Sequence, residues 1–260
     1  MTSSKPLQEQ VNEWLRKQGY PLEMRVASAL RKSGFSVRQS TYYLDPETGK
    51  SRETDIVCSY LEPHGMAEIH FVFECKGTAK PWILFTSEDA LAFNRLFALG
   101  IFSDNARASL AANILKLPSS LPWFMKEGRT GYAITQAFND SEDSTFGAVT
   151  TAIKGSLSLH STPGRVNPPL IFTFPLVVTS SPLFECYLDG EGNTVLNRIT
   201  AGFLNFDARI PDFPGTCVRI FSESGLDQLV NELITMRDAL KQIIADDVES
   251  EWKNFIEHRK

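Results

Sequence analysis

Three carboxylates and one ammonium in the first third of the chain are the residues whose types and spacing could do chemistry: Glu23, Asp55, Glu74 and Lys76. Glu74 and Lys76 close the run Ile69-His70-Phe71-Val72-Phe73-Glu74-Cys75-Lys76-Gly77, which is apolar until its last few positions. Carboxylates gathered at one point bind hard, oxygen-seeking cations such as Mg²⁺ or Mn²⁺. A lysine beside them can orient water or stabilise negative charge as it develops. The four histidines form no paired metal-ligand pattern, and no nucleophile elbow, phosphate loop or dinucleotide fingerprint is present.

The elements that would position these residues follow from local pattern. An apolar run bounded by glycine reads as a buried strand, on which alternate residues share a face, so Glu74 and Lys76 point one way and Cys75 the other. Two charges at the end of a buried strand are costly unless something outside the chain uses them. Thr54-Asp55-Ile56-Val57-Cys58-Ser59-Tyr60 is a second strand with the acid near its start, and Glu62-Pro63-His64-Gly65-Met66 is a turn-rich connector. An antiparallel hairpin of the two places Asp55 beside Glu74 and Lys76. Pro21 and Gly34 mark the ends of a helix on which Glu23, Val26, Ala27 and Leu30 form one face. Glu23 either completes the charged site or complements the helix dipole, and the alternative for Glu74 with Lys76 is a surface ion pair alone.

The order helix-Glu, Asp at a strand start, then Glu-x-Lys at the end of the next strand resembles the PD-(D/E)XK nuclease superfamily. The resemblance spans residues 21–80. Within it Arg52-Glu53-Thr54-Asp55-Ile56-Val57 and Val72-Phe73-Glu74-Cys75-Lys76-Gly77 look most like the type related to archaeal junction resolvases and Mrr restriction enzymes. Thr54 stands where the superfamily's name has proline. The resemblance implies an α/β fold with a restriction-endonuclease-like core, a mixed central sheet flanked by helices. It also implies a divalent-metal-dependent nuclease, a DNA endonuclease in bacterial defence or DNA processing, with Mg²⁺ or Mn²⁺ as cofactor. Asp55 and Glu74 would be metal ligands, with the Cys75 backbone carbonyl as a third. Glu23 would hold a second metal or its water, and Lys76 would orient the attacking water or stabilise the phosphate. Arg52, Lys80 and Lys50, near the ends of the motif strands, are candidate phosphate contacts.

Charge qualifies the expected partner. The net charge is −5; residues 1–80 carry 11 basic against 10 acidic residues, and residues 81–260 carry 15 against 21. No broad basic stripe exists, so nucleic-acid affinity should be modest and local, aided by a homodimer or a partner protein. Two rival functions remain open: a nuclease-derived binding or interaction module without catalysis, and an RNase on the same scaffold. No apolar stretch is long enough to span a membrane, the first residues lack a signal peptide's apolar core, and the four cysteines show no close pairing. These features predict a cytoplasmic protein with reduced, buried thiols.

The rest of the chain reads as one elaborated domain. A short amphipathic helix over 7–18 precedes the motif core, and strand-like Gly34 to Tyr43 runs into the turn Asp45–Lys50. Gly77 to Trp82 reads as a loop, with Trp82 packed in the core. Two helices, from Ser87 to Leu99 and from Ser103 to Lys116, read as an insertion able to lid the site. A strand over 131–137, a helix from Ser141 to Leu159 and a buried strand over 170–178 follow. The C-terminal elaboration consists of a hairpin about Asp189–Asn193, short strands, and an amphipathic helix from Gly225 to Ala245 with a helical tail.

Overall fold

A computed structural model describes residues 5–16, 18–45, 47–77, 80–88, 99–116, 123, 129–138, 144–160, 168–206 and 215–257. Two helices open the chain, α1 (Leu7–Arg16) and α2 (Tyr20–Lys32), followed by a meander of β1 (Ser36–Leu44), β2 (Ser51–Leu61) and β3 (Ala67–Lys76). Next come β4 (Trp82–Ser87), β5 (Ile101–Phe102), α3 (Asp104–Ala112), β6 (Thr130–Gln136), α4 (Ser144–Ser158) and β7 (Leu170–Thr179). The chain continues through β8 (Leu183–Leu188), β9 (Thr194–Ile199), β10 (Ala201–Phe206), β11 (Thr216–Ser222), α5 (Leu226–Ile243) and α6 (Ala245–Glu257).

All the strands belong to one mixed sheet, in the order β1-β2-β3-β7-β11-β10-β6-β4-β8-β9, with β5 paired to β7. The expected hairpin is present: β2 and β3 pair antiparallel with Ile56 opposite Phe73. Strand β7 then lies parallel to β3 along its whole length, from Ala67 opposite Leu170 to Lys76 opposite Thr179. Parallel neighbours need a long crossover, and α4 lies in it.

Alternation divides the sheet's two faces. Ile69, Phe71, Phe73 and Cys75 of β3 join Phe172, Phe174, Leu176 and Val178 of β7 in one cluster, covered by α2, α3 and α5. Val177, Val218 and Ile220 face the other way, beneath Ala148, Val149, Ala152 and Ile153 of α4. The apolar stripe of α5, Leu229, Leu233, Met236 and Leu240, is wholly buried in this chain's own core.

The far half of the sheet rolls up. Strands β9 and β10 are separated in the sheet by β8, β4 and β6, yet only Thr200 joins them in the chain. Flat strands at that separation would stand roughly 19 Å apart, far beyond the reach of one linking residue. The roll closes on Leu84: a Cβ on Gly131 or Gly202 would lie 2.5 Å from a Leu84 methyl, so both positions need to lack one.

Several expectations are corrected. Trp82 is fully buried, as expected, but it opens a strand, β4, that runs on through Ser87, where a helix start was expected. The Ser103 helix is capped as read, its hydroxyl accepting from the Ala106 N–H, but it ends at Ala112. There Asn113 turns its side-chain amide back onto the Ser109 carbonyl at 2.9 Å, and a 3-10 turn follows. Helix α3 packs on β7 near Ile171, the end of that strand remote from Lys76. The helix over 87–99 falls largely on residues 89–98, and the expected start at Ser141 on residues 139–143; both lie outside the described residues. Among the described residues no helix is long and apolar enough to cross a membrane. Cys58, Cys75 and Cys217 are buried free thiols and Cys186 is a partly buried one.

Candidate active site

The quartet meets at one end of β2 and β3. Glu74 and Lys76 share a face, and Lys76 Nζ lies 2.6 Å from Glu74 Oε1. Glu74 is only 4% exposed, and its second oxygen, Oε2, is buried with no hydrogen-bond partner among the described residues. Asp55 Oδ2 accepts the Cys75 backbone N–H at 2.7 Å, which fixes the carboxylate against the backbone between Glu74 and Lys76. The Cys75 side chain enters the core on the opposite face, as alternation requires.

A local irregularity helps to aim Asp55. Ile56 and Cys58 join the cluster beneath α2. Thr54, which strict alternation would put with them, lies instead under α4, where a Cβ on Gly155 would stand 2.4 Å from its Oγ1. The register sets Asp55 opposite Ser40, whose φ of 52° is left-handed. The break falls at Asp55 itself.

Glu23 reaches the site from α2. Pro21 sits in the first turn, and Leu22, Val26, Ala27 and Leu30 anchor the helix on the sheet. Glu23 is half-buried, and its carboxyl is pushed up to about 6, mainly by burial, then by Asp55 and Glu53, with Lys76 opposing. Burial also pushes Glu74 up to about 7; Asp55 adds to this and Lys76 opposes it. Asp55 is raised by burial against the pull of the Cys75 N–H and Lys76. Burial pulls the Lys76 ammonium down, but Glu74 and Asp55 outweigh it and hold the group above its ordinary value. The four groups therefore feel one another's fields, as groups sharing a site do.

The quartet as read leaves out Glu53. It is exposed, and its charge raises both Glu23 and Asp55. The signal was its spacing two residues from Asp55 on one strand. Lys154 was also missed. It projects from α4, is 7% exposed, and binds Asp45 Oδ2 at 3.0 Å and Glu47 Oε2 at 2.7 Å. Asp45 in turn accepts the Glu47 and Thr48 N–H groups, so this cluster staples the β1–β2 turn to α4. Of the candidate phosphate contacts, Lys50 ends that turn and is exposed. Arg52 is half-exposed, with Nε 3.7 Å from Asp45 Oδ2. Lys80 is exposed, just before β4.

Among the described residues no three His, Cys, Asp or Glu side chains form a ready-made cage for an ion. Mg²⁺ does not require one: it is commonly held by one or two carboxylates, waters and substrate phosphate. The donors here suit such an ion. A buried carboxylate with an orphaned oxygen stands beside a second carboxylate, and both are disfavoured as anions until a cation arrives. No protein-family profile, curated protein or solved structure matches the chain.

Proposed function

We propose that this chain is a divalent-metal-dependent nuclease of the PD-(D/E)XK type that hydrolyses phosphodiester bonds, with DNA as substrate and endonucleolytic cleavage as its action. One observation carries the reading: Glu74, buried with an unsatisfied oxygen, is held beside Asp55 and the Lys76 ammonium. The elements α2, β1, β2, β3, α4 and β7 occur in this order, with β4, β5, α3 and β6 inserted between β3 and α4, and β7 lies parallel to β3; this supports a restriction-endonuclease-like core around that site.

Asp55 and Glu74 are the side chains that would hold Mg²⁺ or Mn²⁺, with the Cys75 carbonyl at the same strand end. When bound, the ion supplies Lewis-acid polarisation of the phosphate and of the attacking water. Lys76, kept protonated by Glu74 and Asp55, stabilises the charge gathering on the phosphate oxygens. Glu23, with a carboxyl poised near 6, accepts a hydrogen bond from water on the α2 side and orients it.

The test is incubation of the purified chain with plasmid and Mg²⁺, with an EDTA control. Metal-dependent nicking is the expected result, and matched RNA and DNA substrates separate this reading from an RNase. The missing three-ligand cage among the described residues, with the net charge of −5, favours one alternative, a binding module that does not cut. Binding of duplex without nicking in either metal would establish that alternative.

A further inference from the structure

Beyond Lys76 the same end of the sheet opens into a polar groove. Strand β7 ends at Thr179, opposite Lys76, and the next residue, Ser180, donates its N–H to the Lys76 carbonyl at 3.1 Å. A Cβ on Gly77 would stand 3.3 Å from Ser180 Oγ, so the backbone that carries Lys76 and the Ser180 hydroxyl are close neighbours. Ser180 and Ser181 line a cavity of 350 Å³ together with Ser222, which ends the parallel strand β11, and Ser224 just after it, and Arg198 of β9 also lines it. The groove lies where the main sheet passes into its rolled half.

Its electrostatics select an anion. The Arg198 side chain is exposed and has neither an ion pair nor a hydrogen bond among the described residues. The acid in the lining, Glu223, is engaged by Arg25 of α2, two residues along from Glu23. The Arg198 guanidinium, without a partner among the described residues, lines the cavity together with the Ser180 hydroxyl, while Ser222 Oγ donates to the Thr200 carbonyl at 3.3 Å and lies 2.8 Å from Ser224 Oγ. Hydroxyls and a forked guanidinium suit the oxygens of a phosphate.

We infer that this groove is a second phosphate subsite, which holds a backbone phosphodiester of the same nucleic-acid strand adjacent to the one at Lys76. The inference rests on the nuclease reading. It adds the path of the strand, from the β2–β3 end across Gly77 and Ser180 to Arg198.

The test compares wild type with Arg198→Ala, Arg198→Glu, Arg198→Lys and Ser224→Asp in steady-state cleavage of a short duplex. Anisotropy titrations across salt concentration, with each change placed in a Lys76→Ala chain, give the binding. Loss of one phosphate contact should raise KM severalfold with kcat unchanged, and should reduce the slope of log affinity against log salt by about 0.9. Arg198→Glu and Ser224→Asp should be worse than Arg198→Ala, and Arg198→Lys should recover most of the loss. Unchanged KM and salt slope in Arg198→Glu, in a chain that still cuts, would overturn the subsite and leave the nuclease standing. A wild type that neither binds nor cuts nucleic acid would remove both. Competition by a phosphorylated peptide as effective as by nucleic acid would overturn the assignment to a nucleic-acid backbone.

Discussion

At the residue scale, the site is a balance between burial and charge. Glu74 is nearly sealed, and the Lys76 ammonium at 2.6 Å does not offset what burial and Asp55 cost its ionised form. A carboxyl whose folded pKa is raised binds its proton more tightly in the folded state, so the metal-free chain loses stability when that proton leaves. Glu23 moves from 4.5 to about 6 and Glu74 from 4.5 to about 7, so their contribution falls as pH rises across that window. Thermal unfolding should show a metal-free Tm that declines from about pH 5 to about pH 7.5, with a flatter profile in Glu74→Gln. Mg²⁺ or Mn²⁺ competes with the same protons, so the Tm it adds should be larger at the alkaline end and should shrink in Glu74→Gln. A metal effect independent of both pH and Glu74 would place the ion elsewhere. Asp55→Ala and Lys76→Ala should each lower plasmid nicking by ~100-fold or more while the far-ultraviolet circular dichroism stays unchanged. Near-wild-type nicking by either variant would remove that residue from the site. The convergence of the quartet was legible because each member sits in a run whose period names its element. Glu53 carries the same kind of signal, an acid two residues from Asp55 on the same strand.

At the element scale, the surroundings of the site matter as much as its charges. Gly155 lets α4 close on Thr54, and an alanine there would put Cβ 2.4 Å from Thr54 Oγ1. Gly155→Ala should therefore shift β2 at the position that aims Asp55, costing about 1–3 kcal/mol in urea unfolding and lowering cleavage as well. A silent Gly155→Ala would show that β2 yields freely at Thr54. Lys154→Met should cost about 3 kcal/mol by the same measurement, because it leaves the buried Asp45 with only the more distant, exposed Arg52 as counter-charge. Local pattern was enough for α2, β1, β2 and β3, which lie consecutively and pair with their chain neighbours. It was not enough for β4, whose six residues follow a proline and find partners in β6 and β8 from much later in the chain. The break at Asp55 was equally hidden, since nothing in its residue types shows that Ser40 adopts a left-handed backbone.

At the scale of the whole molecule, charge and shape set how nucleic acid can approach. Residues 81–260 carry 21 acidic against 15 basic residues, so contact should centre on the sheet end that presents Lys50, Arg52 and Lys80, with the Arg198 groove as its one extension into the acidic remainder. Arg52 already leans on Asp45, so its removal should cost less than that of an uncommitted cation. Duplex binding by the Lys76→Ala chain should be weak and shallow in salt, and Arg52→Ala with Lys80→Ala together should weaken it further. Tight binding by a monomer with a steep salt slope would contradict this picture, and so would indifference to the double change. The rolled half of the sheet was not legible in the sequence. Its closure depends on which strands neighbour one another, and hydrophobic period carries no information about pairing partners.

The parallel match of β3 with β7 also has a consequence in time. Ala67 meets Leu170 and Lys76 meets Thr179, so the strand bearing Glu74 acquires its second neighbour only after about a hundred further residues have been ordered or looped out. The helix and meander at the N-terminus can form early from local contacts, but the wall that buries Glu74 arrives late. During synthesis on the ribosome the acids of the quartet stay hydrated and near their ordinary affinities for protons. On the nuclease reading, a chain ending before Leu170 should fold in part, bind no divalent ion and cut nothing.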